Sequence, residues 1–283
     1  MTAPVKVRLR SLPAAAGMFW IRRAARTFVR RPGGFLGLFA FELFCMILCR
    51  LLPISLALAS TALLPLIGLG FMLATEDVLD DVPLRVSVFW TPLTLGAPAR
   101  RALLTLGVIY AVTNVLILVL GDYVDNGEVR AFLTTLMTPR TDGAMPTLPP
   151  LSGRGLAVLA FQTTGAALVA IPLWHAPALV HWGKQGAAQA IFSSIVAVWR
   201  TRGALFVYAL GWLSILFVLI LAMTVVTATA GVLAMALVIA PPLMMMLTTI
   251  FYISVWFSFV DTFEITSAVA YRTVMADDDK PAP

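Results

Sequence analysis

Four long stretches with almost no charge dominate this sequence. They contain 41, 20, 29 and 58 residues, and Glu42 and Arg50 are their only Asp, Glu, Lys or Arg side chains; the stretches are 34–74, 102–121, 155–183 and 203–260. Only 12% of the whole chain is charged, whereas a soluble domain carries about 25%. A helix needs about 20 apolar residues to cross the hydrocarbon core of a bilayer. The pattern excludes an ordinary soluble protein and predicts a chain that crosses a membrane several times.

The lengths of these stretches divide them into six spans. The first stretch is too long for one span, so we expect a tight helical hairpin that turns near residues 50–53, where a proline interrupts the helix. The last stretch divides in the same way near residues 227–231. We therefore predict an all-α fold, a polytopic transmembrane helical bundle. Its six spans are predicted at about 34–52, 54–74, 102–121, 155–174, 203–227 and 232–260.

The flanks of this membrane domain, which covers residues 34–260, carry most of the charge. A basic flank at 1–33 precedes it, and a tail at 261–283 follows it. The side that carries both termini holds 16 of the 20 Lys and Arg residues, and the other side holds four. Cytoplasmic loops of membrane proteins carry such an excess. We therefore expect a multi-pass protein of the bacterial cytoplasmic (inner) membrane with both termini in the cytoplasm.

Three segments on the predicted cytoplasmic side place apolar residues at helical spacing beside basic residues. The first contains Met18, Ile21, Ala25 and Phe28, and the third contains Ala188, Ile191, Phe192, Ile195, Val198 and Trp199. A weaker form at 86–89 leads to Arg100 and Arg101. Helices of this kind lie in the plane of a membrane interface. Each precedes two spans, so we predict three units of an interfacial helix plus a hairpin. The alternative is that any span entering from the cytoplasm has a basic, aromatic flank.

The basic residues of these segments are candidates for contact with anionic lipid. The seven arginines concerned are Arg22, Arg23, Arg26, Arg30, Arg31, Arg200 and Arg202. A basic residue near an anionic membrane surface contributes about 1 kcal/mol of attraction. The net charge of +6 is not accompanied by the base-reading or stacking groups of a nucleic-acid surface. We therefore predict membrane lipids as partners, with a membrane-protein partner as a further possibility, and no nucleic acid.

Glu42 is the only acidic residue inside a predicted span. An ionisable side chain at that depth costs about 2.5 to 3.5 kcal/mol on insertion scales, and such residues commonly mark functional sites. With Asn114 and Gln162, which also lie inside spans, it forms a candidate intramembrane polar site. Two interpretations stay open for these three residues. They contact a substrate in a cavity of the bundle, or they make hydrogen bonds between helices.

Cys45 and Cys49 follow Glu42 at three and seven residues, so they share its helical face. Thiolates and a carboxylate together suit a soft cation, but small thiols are also common on packed helix faces. We predict no metal site and no cofactor. The spacing of Gly33 and Gly37 favours a close contact between helices.

The two histidines each lie beside a tryptophan, His175 next to Trp174 and His181 next to Trp182. Tryptophan is enriched where a span leaves the membrane. We interpret both pairs as parts of an interfacial aromatic belt. The loop 122–154 on the opposite side is polar, contains glycine and ends in a proline-rich run, so we expect part of it to be irregular.

A resemblance to a known family rests on four groups of residues. They are Arg30, Arg31 and Pro32; Ala176, Pro177, Ala178, Leu179 and Val180 with Trp182; Ala190 through Ser194 to Trp199 and Arg200; and Phe257, Ser258 and Phe259. On these residues the chain resembles a family of bacterial inner-membrane proteins of uncharacterised role with six predicted spans. Thr201 departs from the asparagine that is usual after Arg200 in that family. The motifs specify topology and no chemistry.

The layout is also similar to that of the membrane domain of some glycerophosphodiester phosphodiesterases, in which interfacial helices precede paired spans. No segment of this sequence corresponds to the catalytic domain of those enzymes. That similarity implies only a lipid-facing or scaffolding role.

The sequence contains no G-x-S-x-G, no H-E-x-x-H, no phosphate loop and no dinucleotide fingerprint. We therefore expect no enzyme. The leading hypothesis is a non-catalytic membrane organiser, or a component that binds lipid or a partner protein. The alternative is a small transporter or permease that uses Glu42 and the polar residues of spans three and four.

Overall fold

A computed structural model describes residues 7–51, 60–137, 149–230 and 233–264, with side chains for all of these except 50, 136–137, 227–230 and 233–238. The elements in chain order are β1 (Arg8–Leu9), α1 (Ala16–Arg30), α2 (Pro32–Arg50), a 3-10 turn (Thr61–Leu63), α3 (Leu64–Leu79), a 3-10 turn (Val86–Phe89), one helical turn (Thr91–Thr94), α4 (Ala97–Asp125), α5 (Glu128–Met137), α6 (Gly153–Leu173), α7 (Ala176–His181), α8 (Ala187–Arg200), α9 (Arg202–Ala230), α10 (Leu233–Thr262) and β2 (Phe263–Glu264).

Six apolar segments of the described chain are long enough to cross a membrane. They are Pro32–Cys49, Thr61–Leu79, Ala97–Asp125, Gly153–His181, Arg202–Val226 and Ile239–Thr262. The predicted all-α polytopic bundle is therefore confirmed. The helices extend beyond the predicted spans into charged flanks, as α4 does at Arg100 and Arg101, because backbone hydrogen bonding continues past the edge of the hydrocarbon. Of the residues predicted to form the two hairpin turns, 52–53 and 231 lie outside the described residues, and so does most of the predicted tail (265–283). Residues 227–230, predicted to belong to the second turn, continue α9 as helix.

Sequence signals at the helix ends account for several of these boundaries. Pro32 stands in the first turn of α2, where its missing N–H costs nothing. The Ser152 hydroxyl accepts a hydrogen bond from the Gly155 amide and caps α6. Asp125 accepts hydrogen bonds from the amides of Gly127 and Val129 and so begins α5. The loop 122–154, predicted to be partly irregular, therefore contains an ordered helix, α5. Asp125 caps this helix, and the glycine content of the loop gave no indication of the cap.

Both ends of the described chain meet at one end of the bundle. β1 pairs antiparallel with β2, with Arg8 opposite Glu264 and Leu9 opposite Phe263. We call this end the terminal end. The large fully buried side chains are concentrated near it, and they include Trp20, Phe35, Phe71, Trp256, Phe259 and Phe263. The apolar side chains that remain exposed along the spans face lipid, as expected of a membrane bundle.

α10 is the central helix of the bundle. Ten of the 24 residues in its Ile239–Thr262 segment are buried, whereas only four of the 25 residues in the Arg202–Val226 segment of α9 are. Residues of α10 pack against α1, α2, α3 and α9. The rings of Phe71 on α3 and Tyr252 on α10 stack in parallel, with centroids 4.6 Å apart. The terminal half of α10 therefore organises the core that positions the rest of the molecule.

The three predicted units are arranged in a cycle. α1, which precedes the α2 and α3 hairpin, packs against α9 and α10 instead. The 86–94 segment precedes α4 but packs chiefly against α3, and α8 precedes α9 but packs chiefly against α6 and α7. Each interfacial element thus lies on the hairpin of another unit. The middle element is a 3-10 turn and a single helical turn rather than a full helix, consistent with its weaker sequence pattern.

α1 differs from the prediction of a helix that lays its apolar face in the membrane interface. Ile21 and Phe28 of the predicted stripe are buried, and so is Trp20. Their partners are α9 and α10. The apolar face of α1 is covered by protein because two spans lie directly against it, and periodicity alone does not distinguish a protein partner from lipid.

Candidate functional site

Serine hydroxyl groups on the terminal half of α10 form hydrogen bonds with aromatic side chains from other parts of the bundle. Ser254 shares a hydrogen bond of 2.6 Å with the Tyr208 hydroxyl of α9. Ser258 accepts a hydrogen bond of 3.2 Å from the Trp174 indole, and its Oγ lies 3.0 Å from Nε2 of His175. Ser254 and Ser258 are one helical turn apart, so they lie on one face of α10.

His175 is fully buried beside this face, which corrects its assignment to an interfacial aromatic belt. Its backbone amide donates to the Ser194 hydroxyl of α8 over 3.1 Å. The Ser258 hydroxyl donates to the Val255 carbonyl, so the contact with His175 is not that of a free nucleophile with its base. Trp182, expected in the same belt, packs against Trp256 with ring centroids 4.8 Å apart. The hydrogen bonds of this cluster join α10 to residues 174–175 and those residues to α8, so the cluster holds helices together.

Asp261 forms the last contact of this series. It accepts a hydrogen bond of 2.9 Å from the Trp20 indole of α1 and pairs with the Arg23 guanidinium at 3.3 Å. Arg23 was predicted to contact lipid. In the structure it pairs with Asp261, because α1 packs on the end of α10.

Glu42 lies on a cavity of about 170 Å³, which we call the Glu42 cavity. The cavity lies between α2, the beginning of α3 and the 86–94 segment. Its lining is Phe41, Glu42, Cys45, Met46, Cys49, Leu63, Leu66, Ile67, Phe89, Trp90 and Leu93. Glu42 is only 9% exposed, and its Oε2 has no hydrogen-bond partner among the described residues. Of the two interpretations of Glu42, this placement favours a cavity contact over a hydrogen bond between helices.

A second cavity, of about 230 Å³, lies between α3, α4, α6, α7 and α10. Tyr110 and Tyr252 line it, together with Trp174 and Phe251. Tyr252 is close enough to both Glu42 and Tyr110 to interact with them electrostatically. The structure therefore places Tyr252 near both Glu42 and Tyr110, a grouping that the sequence did not predict.

Asn114 and Gln162, which the sequence grouped with Glu42, lie elsewhere. The Asn114 amide donates to the Tyr110 carbonyl of its own helix over 2.9 Å. Gln162 is buried where α6 approaches Gly121 of α4. Neither residue lines the Glu42 cavity. Intrahelical bonding and helix packing account for the positions of these two amides.

The thiols of Cys45 and Cys49 are half-buried and unbonded to each other. Within the described chain, no three His, Cys, Asp or Glu side chains are placed to share a metal ion. Cys45 and Cys49 lie on the same helical face as Glu42, as predicted, and that face borders the cavity.

The other predicted lipid contacts lie on the surface near the terminal end. The exposed residues among them are Arg22, Arg26, Arg30, Arg31, Arg200 and Arg202. The Arg202 guanidinium lies over the Trp199 ring, 5.2 Å from its centroid. This stacking holds a positive charge directly beside an exposed aromatic side chain.

α8 presents its large apolar side chains outward. Phe192 is 67% exposed and Trp199 is 70% exposed, and Ile195 lies between them on the same face. The face that packs on the protein consists of small side chains, Ala190, Ser194 and Ala197. α8 therefore has the properties predicted for an interfacial helix, whereas α1 does not.

One relative extends over nearly the same length as this chain. It is described as a probable inner membrane protein of Burkholderia thailandensis, and the two sequences are 27% identical over 262 residues, which are 92% of this chain and 95% of that protein. Together with the six apolar helices, this similarity decides the class of protein. The chain is a multi-pass inner membrane protein. No family model matches it, and no solved structure matches it significantly.

Sequence reasoning missed the contacts that join distant parts of this membrane protein. Trp20 and Asp261 are 241 residues apart in the chain. One signal was present, because Ser254, Ser258 and Asp261 recur at four and three residues on an otherwise apolar helix. A polar stripe of that spacing on a span predicts contacts with other helices. The partners themselves carry no such signal.

Proposed function

We propose that this protein is a non-catalytic membrane organiser that binds anionic lipid around the terminal end of its bundle. The observation that carries the proposal is the orientation of α8. Its large apolar side chains face outward, and Arg200 and Arg202 follow at its end. A helix of this composition inserts its apolar face below the headgroups and keeps its charges beside them.

The geometry of α8 supports this role in energetic terms. An exposed face made of Phe192, Ile195 and Trp199 is unfavourable in water and favourable between lipid chains. Arg202 is held on the Trp199 ring, so its charge is kept at the level of an interfacial aromatic residue. The apolar and the electrostatic attractions therefore act on the same lipid molecules.

α1 adds positive charge to the same end. Its inner face packs on α9 and α10, and Arg22, Arg26 and Arg30 are exposed on the outer side. A rigid basic face of this kind attracts anionic headgroups or an acidic partner protein. We infer lipid as the first partner, because the apolar face of α8 requires one.

Lipid retention tests this proposal. The double variant Arg200→Gln with Arg202→Gln removes two of these charges, and Arg154→Gln at the opposite end is the matched control. At about 1 kcal/mol for each basic residue, the double variant should weaken the preference for phosphatidylglycerol over phosphatidylcholine by about 30-fold. Native mass spectrometry of the purified chain with mixed lipids measures that preference. An unchanged preference, or an equal loss in Arg154→Gln, contradicts the proposal.

Transport through the bundle is the second candidate function. The buried carboxyl of Glu42 on its cavity favours it, although Asn114 and Gln162 do not extend a path from that cavity. The variant Glu42→Gln separates the two functions. It should leave lipid retention unchanged, since Glu42 lies inside a span and far along the chain from α8 with Arg200 and Arg202.

A further inference from the structure

The Glu42 cavity contains a buried acidic group. Oε2 of Glu42 has no hydrogen-bond donor among the described residues, and none of the described residues that line the cavity is basic. Placing a carboxyl group away from water without a partner is costly. Folding has therefore already removed the Glu42 carboxyl group from water. A ligand that supplies a positive charge forms a charge-assisted contact with it and does not have to desolvate it further.

Aromatic rings complete the surroundings that suit an organic cation. Phe41 packs between Phe89 and Trp90, with ring centroids 6.2 Å and 5.8 Å away, and all three residues line the cavity. Aromatic faces attract ammonium groups, and the attraction increases when the cation is desolvated. A carboxylate beside aromatic side chains attracts an ammonium group and repels an anion.

The position of the opening indicates how a ligand enters. Leu63, Trp90 and Leu93 line the cavity and are also exposed on the surface of the bundle. The opening thus lies beside the spans, between α3 and the 86–94 segment. A molecule that enters there is dissolved in the bilayer, so it carries an apolar chain.

Size and charge narrow the class of ligand. The volume of about 170 Å³ is below the 300 to 1,000 Å³ of pockets that enclose a whole drug-sized molecule. The cavity therefore accepts one small group while the rest of the ligand stays outside. A phosphate-bearing headgroup does not suit the chemistry of the lining that the structure describes, because its carboxyl group repels a phosphate and none of its residues is basic.

We propose that the Glu42 cavity binds the ammonium group of a long-chain organic cation that enters from the bilayer. The Glu42 carboxylate pairs with the ammonium group, the rings of Phe41, Phe89 and Trp90 surround it, and the alkyl chain remains in lipid. This inference does not depend on the binding of anionic lipid by α8.

The chain carries its own reporter of this site. Cys45 and Cys49 are the only cysteines in the sequence, and both line the cavity. Their alkylation by N-ethylmaleimide is measured on the full chain in phosphatidylglycerol nanodiscs, since that lipid has no ammonium group. Dodecyltrimethylammonium should slow the alkylation of both thiols about tenfold at saturation. Dodecanol, with the same chain and no charge, should not slow it, and neither should dodecylphosphocholine, in which a phosphate accompanies the ammonium group.

Two variants assign the effect to the carboxyl group. Glu42→Gln should weaken the protection by about tenfold or more in concentration, because it removes a charge-assisted contact. Asn114→Leu is the matched control, since the Asn114 amide bonds only within its own helix, and its protection should equal that of the unaltered chain. Thermal unfolding of both variants confirms that each is folded.

Three results overturn the proposal. Equal protection by dodecanol shows an apolar cavity without recognition of charge. Unchanged protection in Glu42→Gln shows that the carboxyl group does not contribute. If the thiols of the unliganded chain do not react, native mass spectrometry measures binding of dodecyltrimethylammonium directly, and equal binding to the unaltered chain and to Glu42→Gln rejects the site.

Discussion

Gly17 is the residue at which α1 comes closest to α9. A Cβ atom at this position would lie 2.1 Å from the Ala204 carbonyl oxygen and 2.6 Å from the Tyr208 amide nitrogen. Both are backbone atoms, so the contact cannot be relieved by rotating a side chain. A Cβ atom at Gly33, by contrast, would have no neighbouring atom within 4 Å. The sequence favoured Gly33 and Gly37 for close helix contact, but the structure places the closest contact at Gly17.

We expect Gly17→Ala to destabilise the protein by about 1 to 3 kcal/mol or more, because overpacking forces the two helices apart. Gly33→Ala is the matched control. It adds the same methyl group to a helix in open space and should leave stability unchanged or slightly increased. Thermal unfolding in detergent measures both. A Gly17→Ala variant as stable as Gly33→Ala would show that α1 does not pack on α9 in this way.

Asp261 makes contacts in the folded protein that its position in the sequence does not indicate. By sequence it is the first charged residue after the last span and belongs to the tail. In the structure it joins the Trp20 indole and the Arg23 guanidinium of α1 to the end of α10. The Trp20 ring is fully buried, but the Arg23 and Asp261 side chains are partly exposed, so their ion pair contributes little to stability.

At the scale of elements, α1 and α8 share one sequence pattern and differ in what covers their apolar faces. α1 turns Trp20 and Ile21 toward α9 and α10, whereas α8 turns Phe192 and Trp199 toward the bilayer. This difference arises from the side chains on the face of each helix that lies opposite its large apolar residues. α8 offers Ala190, Ser194 and Ala197 for close packing against α6 and α7, and the outer face of α1 carries arginines.

This difference predicts lipid contact at particular positions of the two helices. Spin labels on single cysteines at Phe192 and Ile195 should show high accessibility to oxygen, which is concentrated in the bilayer. Labels at Ile21 should show low accessibility to oxygen and to a water-soluble reagent. Paramagnetic relaxation measurements on the chain lacking Cys45 and Cys49 give both values. High oxygen accessibility at Ile21 would mean that α1 lies on lipid after all.

At the scale of the whole molecule, the cyclic packing of the three units closes the bundle. Each interfacial element covers the hairpin of another unit, and the strands β1 and β2 join the two ends of the described chain. Units that each cover a neighbour's hairpin do not fold independently, so the membrane domain acts as one cooperative body. The compact core near the terminal end follows from this arrangement, because all three interfacial elements contribute to it.

The orientation of this body in the membrane is a prediction from the distribution of Lys and Arg. With 16 of the 20 on the side of the termini, the positive-inside rule places that side in the cytoplasm. An alkaline phosphatase fusion near Ala230 should be active, and a fusion after the last span should be inactive. A green fluorescent protein fusion should give the reciprocal pattern. The reverse of both patterns would place the termini outside.

The sequence by itself determined the membrane class, the number of spans and the helical faces on which Glu42, Cys45 and Cys49 lie. These features depend on local composition and on a helical period that each segment carries alone, because a bilayer requires about 20 apolar residues whatever the neighbours are. The polar stripe of α10 was also readable, although its partners were not.

Only the tertiary structure decided which face of each interfacial helix meets protein, that Trp20 and Arg23 meet Asp261, and that Glu42 borders a cavity separate from Asn114 and Gln162. In a membrane, lipid chains and the apolar side chains of a neighbouring helix attract an apolar face almost equally. Hydropathy therefore cannot distinguish them. The choice is made by close packing between helices, at contacts such as Gly17 with Ala204, and that depends on the whole arrangement of the chain.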